Sequence, residues 1–346
     1  MTDSRKSFVI ATHGGLYVVV LDENFAIVRS ELIDDNYHYG VTVDVDAENN
    51  STKIYAYRGG PGRQDVLPKE IRVFDFDGET VTAGEEIALY EGAGDIHQIT
   101  RHGVNHFLLS NSRLNSIDRW DPKAGFMDRI HINGFDTDVN HINSVYPVDD
   151  LVAVMLHNFR KLESQIVILE DSGSSLKELG RFSLKDWCCH NIGIIGHDLF
   201  LNASSARAIV KIDLRTLRET ERVKLNAHTK GMSCDGNLIY AGMSDSAGRA
   251  ERVKSCGWLN IVDPKTLKMI KTVQLTEETR GAAFGNVNEI RLLNEADTFD
   301  LAANVDGSAL RNSVDVGQNA VAIQCRRTWI RTVDRVRRTF GSMLSK

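Results

Sequence analysis

Four histidines stand at the head of four strand-like segments: His97 in DIHQITR, His141 in NHINSVY, His190 in CHNIGII and His228 in HTKGMSC. Aligned on those segments, they fall at one equivalent position. His38 in YHYGVTV takes the same place or one residue off it. In the last segment, ETRGAAF, Glu278 holds the position with Arg280 close by. Neutral imidazole ligates Fe, Zn, Mn, Ni and Cu, so converging histidines invite a metal ion. Acids precede most of them: Asp34, Asp35, Asp95, Asp136, Asp138, Asp186 and Glu277. Such carboxylates accept the second ring N–H and orient a ligand.

Imidazoles without thiolates argue against a closed structural zinc site. They favour an octahedral metal with open positions, Fe(II) ahead of Mn, Zn or Cu, where O2 or a substrate binds. Two rival readings stay open. One is a polar channel that binds a ligand without a metal. The other is structural, as in WD propellers, where a histidine before each inner strand bonds within its own blade. That network also needs a Trp-Asp ending, and no repeat here has one except at Trp120-Asp121.

The elements that must position these residues are short strands. Apolar runs alternate with Gly, Asn and Asp turns, and long helical periodicity is almost absent before residue 320, which reads as all-β. Residues 96–132 give IHQITRHG, HFLLSNS, SIDRWD and FMDRIHI, four consecutive antiparallel strands that make one propeller blade. The same grammar recurs at 38–89, 140–184, 190–225 and 228–275. Third strands end in acidic turns: DFDG, DPKAG, DLRT, DPKT. The N-terminus supplies FVIATHG, LYVVVLD and FAIVRSEL without a first strand, and TRGAAFGN resembles a first strand without the rest. Joining them closes a sixth blade and leaves no sheet edge exposed.

The expectation is a six-bladed β-propeller over 1–294, closed by N-terminal strands plus one C-terminal strand. Residues 295–325 are polar, without clear period, and read as a linker or strap. Residues 326–346 place Trp329, Ile330, Val333, Val336, Phe340 and Leu344 on one helical stripe, with six arginines elsewhere. This basic amphipathic helix packs on the acidic propeller, or lies on an anionic membrane or partner protein.

In a propeller the loops between second and third strands share a face with the inner-strand starts. They offer Arg58, Arg113, Asn111, Asp245 and His13 as substrate contacts, with Asn158, Ser204 and Arg249 beside them. His157, Glu278 and Arg280 are the candidate catalytic groups. Arginines beside the site suit a small anionic or carboxylate-bearing substrate. No Ser-His-Asp order, P-loop or GxGxxG followed by a helix can be read, which argues against a hydrolase triad, Walker-type NTP binding and Rossmann dinucleotide binding.

The chain has 346 residues, 42% hydrophobic and 25% charged, with a net charge of −6. That balance opposes nucleic-acid binding. Five cysteines, odd in number and without CxxC spacing, fit reduced thiols, and no apolar run near the N-terminus suits a signal peptide. The expected compartment is the cytoplasm.

Four histidines on a propeller axis are similar to the site plan of the carotenoid cleavage oxygenases. That family holds Fe(II) by four histidines supported by glutamates, on seven blades and a longer chain; its local motifs are missing here. Propeller lyases acting on oligouronides also hold a metal by histidine. LSNSRLNSIDRWDP followed by VNHINSV looks like a family of uncharacterised propeller proteins. The last lends support to the fold alone, and the site plans imply precedent for both oxygenation and elimination. The expectation is oxygenase-type chemistry at His97, His141, His190, His228 and His38, with a metal-dependent lyase or a non-catalytic binding propeller as alternatives.

Overall fold

The computed structural model describes residues 5–46, 49, 51–59, 69–102, 106–277, 283–293 and 307–317. Among the described residues, twenty-four strands form six four-stranded antiparallel blades. The first blade is β4 (His38–Asp46), β5 (Ser51–Arg58), β6 (Glu70–Phe76) and β7 (Val81–Ala88). The second runs from β8 (Ile96–His102) through β9 (His106–Asn111) and β10 (Ser116–Asp121) to β11 (Gly125–His131). β12 (Ile142–Val148) to β15 (Leu176–Ser183) make the third, β16 (Cys189–Ile195) to β19 (Arg218–Lys224) the fourth, and β20 (His228–Cys234) to β23 (Met269–Leu275) the fifth.

The closing blade takes β24 (Val287–Leu292) as its inner strand, then β1 (Lys6–Thr12), β2 (Leu16–Leu21) and β3 (Ile27–Asp34). β24 pairs antiparallel with β1, Phe8 opposite Leu292 and Ile10 opposite Ile290. The ring therefore closes as the sequence implies. Its last strand is VNEIRL, however, rather than the TRGAAFGN expected for it. Glu278 and Arg280 precede it and lie outside the described residues.

Burial explains which runs become which strands. Middle strands such as β2 (LYVVVL) and β13 (Leu151–Leu156, LVAVML) are buried throughout. They are sandwiched between neighbouring blades, so they read as continuous apolar runs. Outer strands such as β19 (RETERVK) keep one face in water. Apolar clusters fill every seam: Tyr57 with Ile99 and Trp120 between the first two blades, Ile117 with Val154 between the next two. One large cluster joins the third, fourth and fifth blades, and two more flank the closing blade.

The acidic turn is a device of all six blades. Asp22, Asp77, Asp121, Asp171, Asp213 and Asp263 each end a third strand and accept backbone N–H groups two or three residues on, for example Glu79 at 2.9 Å and Lys265 at 2.7 Å. Those bonds hold the Asp77 and Asp121 carboxyls below the usual range.

Within 295–325, residues 307–317 form a helix, α1. Its Ala309, Leu310 and Val314 enter the cluster between the third and fourth blades, while Arg311 pairs with Asp150 and, at 3.1 Å, Glu170. The amphipathic segment 326–346 lies outside the described residues. Among the described residues, no helix is long and apolar enough to cross a membrane.

Ile290, fully buried in the closing strand, measures the closure. Ile290→Ala is expected to lower the unfolding free energy by about 2–5 kcal/mol in urea denaturation. The same change at Ile270, half exposed on β23, is expected to shift it by less than about 0.5 kcal/mol. Equal effects would contradict this account of the seam.

Candidate functional site

A bulge interrupts the pairing at the start of every blade's inner pair: between His38 and Val41, Ile96 and Ile99, Ile142 and Ser144, His190 and Gly193, Thr229 and Met232, and at Ala11/Thr12 opposite β24. Bulges re-aim side chains, and these turn the strand starts into the channel mouth. They also upset the simple alignment of histidines. His38 and His228 face the last residue of the second strand, Arg58 and Ser244. His97 and His190 come one residue after the equivalent pairs, and His141 one before.

The rings meet all the same. From Tyr39 an edge-to-face chain runs through His97 (4.2 Å between centroids), His141 (4.5 Å), His157 (5.1 Å), His190 (5.1 Å) and His228 (6.1 Å). His141, His157, His190 and His228 line a cavity of about 330 Å3, closed on the far side by His13, Asn286, Val287 and Asn288 from the closing blade. Tyr39, Phe159, Arg160, Cys188, Lys230 and Arg252 complete the wall.

Hydrogen bonds fix several tautomers. His190 Nδ1 lies 3.0 Å from the Cys188 carbonyl, which only accepts, so Nδ1 carries the proton and Nε2 the lone pair. His141 Nδ1 donates to Asp138 at 3.0 Å with the same result. His157 is the opposite: its Nδ1 accepts from the Phe159 N–H at 3.2 Å, which puts the proton of the neutral ring on Nε2. His13 Nδ1 donates to the Asn286 carbonyl (3.3 Å) and its Nε2 accepts from the Tyr37 hydroxyl (2.9 Å). The mouth thus mixes acceptors and donors.

It also holds cations. Lys230 lies over the Tyr39 ring, 3.8 Å from its centroid, and bonds the Tyr39 hydroxyl. Gly242 behind it has no side chain because its Cβ would strike the Lys230 carbonyl. Burial, then the Arg252 charge, push the Lys230 amine well below its ordinary value, and Glu289 only partly opposes them. Burial likewise lowers His157 to about 2, helped by His141 and Lys230, and His228 to about 4, helped by Lys230 and Arg252. His190 is pushed down by burial and Lys230.

Beneath the cavity the charges are paired. Glu289 accepts from Asn191 Nδ2 (3.0 and 3.1 Å) and Arg291 Nη1 (2.9 Å), tying the fourth blade to the closing one.

Other expected site residues are committed elsewhere. His38 is buried against Asp34 at 3.4 Å. Arg58 binds Glu70 and Asn36; Asn111 binds Asp118 and the Gly92 carbonyl. Arg113 and Asp245 are exposed and do not line the cavity. Asp186 pairs with Arg222 rather than a histidine. Lys230, Arg160, Arg252, Tyr39 and Asn288 are cavity residues that the sequence reading missed. A signal existed for Lys230, two residues after His228. The loop carrying Arg160 gave none: Asn158, Phe159 and Arg160 are all left-handed, at φ of 58°, 48° and 62°.

Among the described residues, no group of three or more His, Cys, Asp or Glu side chains is arranged to hold a metal ion. The reasons are visible. Neighbouring rings pack edge-to-face, no carboxylate among the described residues lines the cavity, and a lysine and two arginines do.

The histidines that fold neutral predict an acid weakness. Their native values lie below the ordinary 6.5, so as pH falls from 6.5 the unfolded chain takes up protons first and stability drops. The loss is about 1.4 kcal/mol per pH unit for each such histidine, and continues for His228 until about pH 4. Melting temperature followed from pH 7 to 4.5 should fall, less steeply in His228→Asn. A flat profile would contradict the buried neutral state.

No protein-family model matches the sequence, and no curated protein matches it. Solved structures do match in fold. The nidogen/laminin complex includes a chain 12% identical with a TM-score of 0.54, over 83% of this chain and 98% of that one. A hypothetical selenium-binding protein from Sulfolobus tokodaii is 12% identical with a TM-score of 0.54, over 86% and 94%. The WD40 β-propeller domain of Doa1 is 8% identical with a TM-score of 0.50, over 86% and 91%. At such identities the likeness extends to the fold alone: the chain is a six-bladed β-propeller.

Proposed function

We propose that the protein binds a small organic anion at the mouth of its channel, held by Lys230, Arg252 and Arg160 and oriented by the histidines. The observation that carries this reading is a cavity of about 330 Å3 whose wall, among the described residues, has a lysine and two arginines and no carboxylate. Guanidinium groups grip carboxylate or phosphate oxygens in pairs. His157 offers an Nε2–H to such a ligand, and His190 and His141 offer lone pairs to its hydroxyl groups. A donor and an acceptor on adjacent rings are also the equipment for moving a proton on a bound ligand.

The metal-dependent reading, with Fe(II) at the histidines, finds two imidazoles prepared by their hydrogen bonds, His141 and His190, beside cations that oppose a divalent ion.

Calorimetry with oxalate and with inorganic phosphate tests the anion reading. Binding is expected with proton uptake, because an anion raises the proton affinity of His228 and His190; it therefore tightens as pH falls from 8 to 6. Arg252→Ala removes a charged hydrogen-bond donor worth about 1.5–3 kcal/mol, a loss of about 10- to 150-fold in affinity. No binding of either anion, or stoichiometric iron, manganese, zinc or copper after reconstitution, would overturn the proposal.

A further inference from the structure

We infer that Lys230 is a nucleophile that forms an imine with a carbonyl-bearing anion, such as a 2-oxo acid, bound in the cavity. The inference rests on the anion reading above and names the ligand's reactive group.

Four observations point to it. Lys230 sits on the β20 bulge, where the pairing skips from Thr229 to Met232, and its side chain enters the cavity. Among the described residues it meets no carboxylate at ion-pair distance; its partner is the Tyr39 hydroxyl. The charged group in the cavity wall that acts on it is Arg252, a like charge, while Glu289 below is held by Asn191 and Arg291. Arg160 and Arg252 share the wall and suit the carboxylate of a ligand whose carbonyl faces the amine. A lysine kept only for attraction has no need of burial beside another cation, which costs it its proton. A lysine kept as a nucleophile needs that loss, since the lone pair is the reactive form.

The step balances without an oxidant. The Nζ lone pair forms a C–N bond to the carbonyl carbon, and the carbonyl π pair moves to oxygen, which takes a proton from the Tyr39 hydroxyl. Nitrogen then gives up a proton, which Tyr39 recovers. The carbinolamine hydroxyl leaves as water with the second amine proton, and a C=N bond remains. Amine and carbonyl give imine and water.

The test is reductive trapping of the full chain with glyoxylate and sodium cyanoborohydride at pH 7, read by intact mass and peptide mapping. The borohydride hydride reduces C=N to a stable secondary amine. One carboxymethyl group per chain is expected, on Lys230, ahead of surface lysines, of which only about 0.04% are neutral at that pH. Oxalate is expected to block it. Tyr39→Phe should slow labelling at Lys230 while leaving the other lysines unchanged, and Lys230→Arg should abolish that adduct. The map of the unsubstituted chain decides the matter even if a variant fails to fold. Oxalate binding without a Lys230 adduct overturns the imine and leaves the anion reading standing. Absence of both overturns both.

Discussion

Everything at the channel mouth depends on the pairing of β24 with β1, which joins the two ends of the ring. Thr12 faces Val287 across that seam and its hydroxyl donates to the Phe284 carbonyl at 2.6 Å. One residue on, His13 bonds the Asn286 carbonyl through both its backbone N–H and its ring. His13, Asn286, Val287 and Asn288 are also one side of the cavity. The histidine arc from His141 to His228 forms the opposite side, on three other blades. The cavity therefore exists only in the closed ring, and the cost of closing so long a loop is met by the apolar clusters on either side of the seam.

Charge is distributed unevenly along the axis. At the floor, Glu289 and Arg291 are both almost fully buried and are joined to one another and to Asn191. A buried pair satisfied in this way is tolerable, whereas removing one partner strands the other. At the mouth, Lys230, Arg252 and Arg160 gather with no carboxylate on the wall among the described residues. Desolvating an ammonium costs several kcal/mol, and burial keeps Lys230, His157, His190 and His228 short of protons. A bound anion reverses that balance. Ligand and proton are then coupled through the same groups.

Strand order and blade number were legible because two-sided burial writes plain apolar runs, and because the Asp turns recur at fixed places from Asp22 to Asp263. The acidic turn was seen in four of the six blades; Asp22 and Asp171 do the same work in less regular surroundings. The site was half legible. His141, His157, His190, His228 and His13 were picked out and do meet, yet His38, at a strand start as well, turns to Asp34. The bulges decide such cases, and no residue type announces a bulge. Val287–Leu292 was passed over as the closing strand because Asn288, Glu289 and Arg291 break its apolar pattern. They break it because an inner strand turns polar side chains to the channel.

The third blade shows where the fold carries strain. Asn158, Phe159 and Arg160 all adopt left-handed backbone, which costs a residue with a side chain roughly 1–2 kcal/mol. The loop holds that shape through Asn158, whose backbone N–H donates to the Asn140 carbonyl at 2.7 Å and whose carbonyl accepts from Lys161 at 2.8 Å. Its side chain adds bonds to Asn140 and to the Glu163 carbonyl. So many polar contacts for so short a turn are spent on keeping Phe159 and Arg160 at the cavity wall. Strained backbone beside a gathering of like charges is a double cost, and both parts fall on the same few residues. Elsewhere among the described residues other than glycine, left-handed backbone occurs one residue at a time, as at Phe25, Leu217 and Leu267 in the turns after third strands. A ligand that offsets the charge gives the strain its use, because an arginine already aimed loses less freedom on binding than one on a relaxed loop.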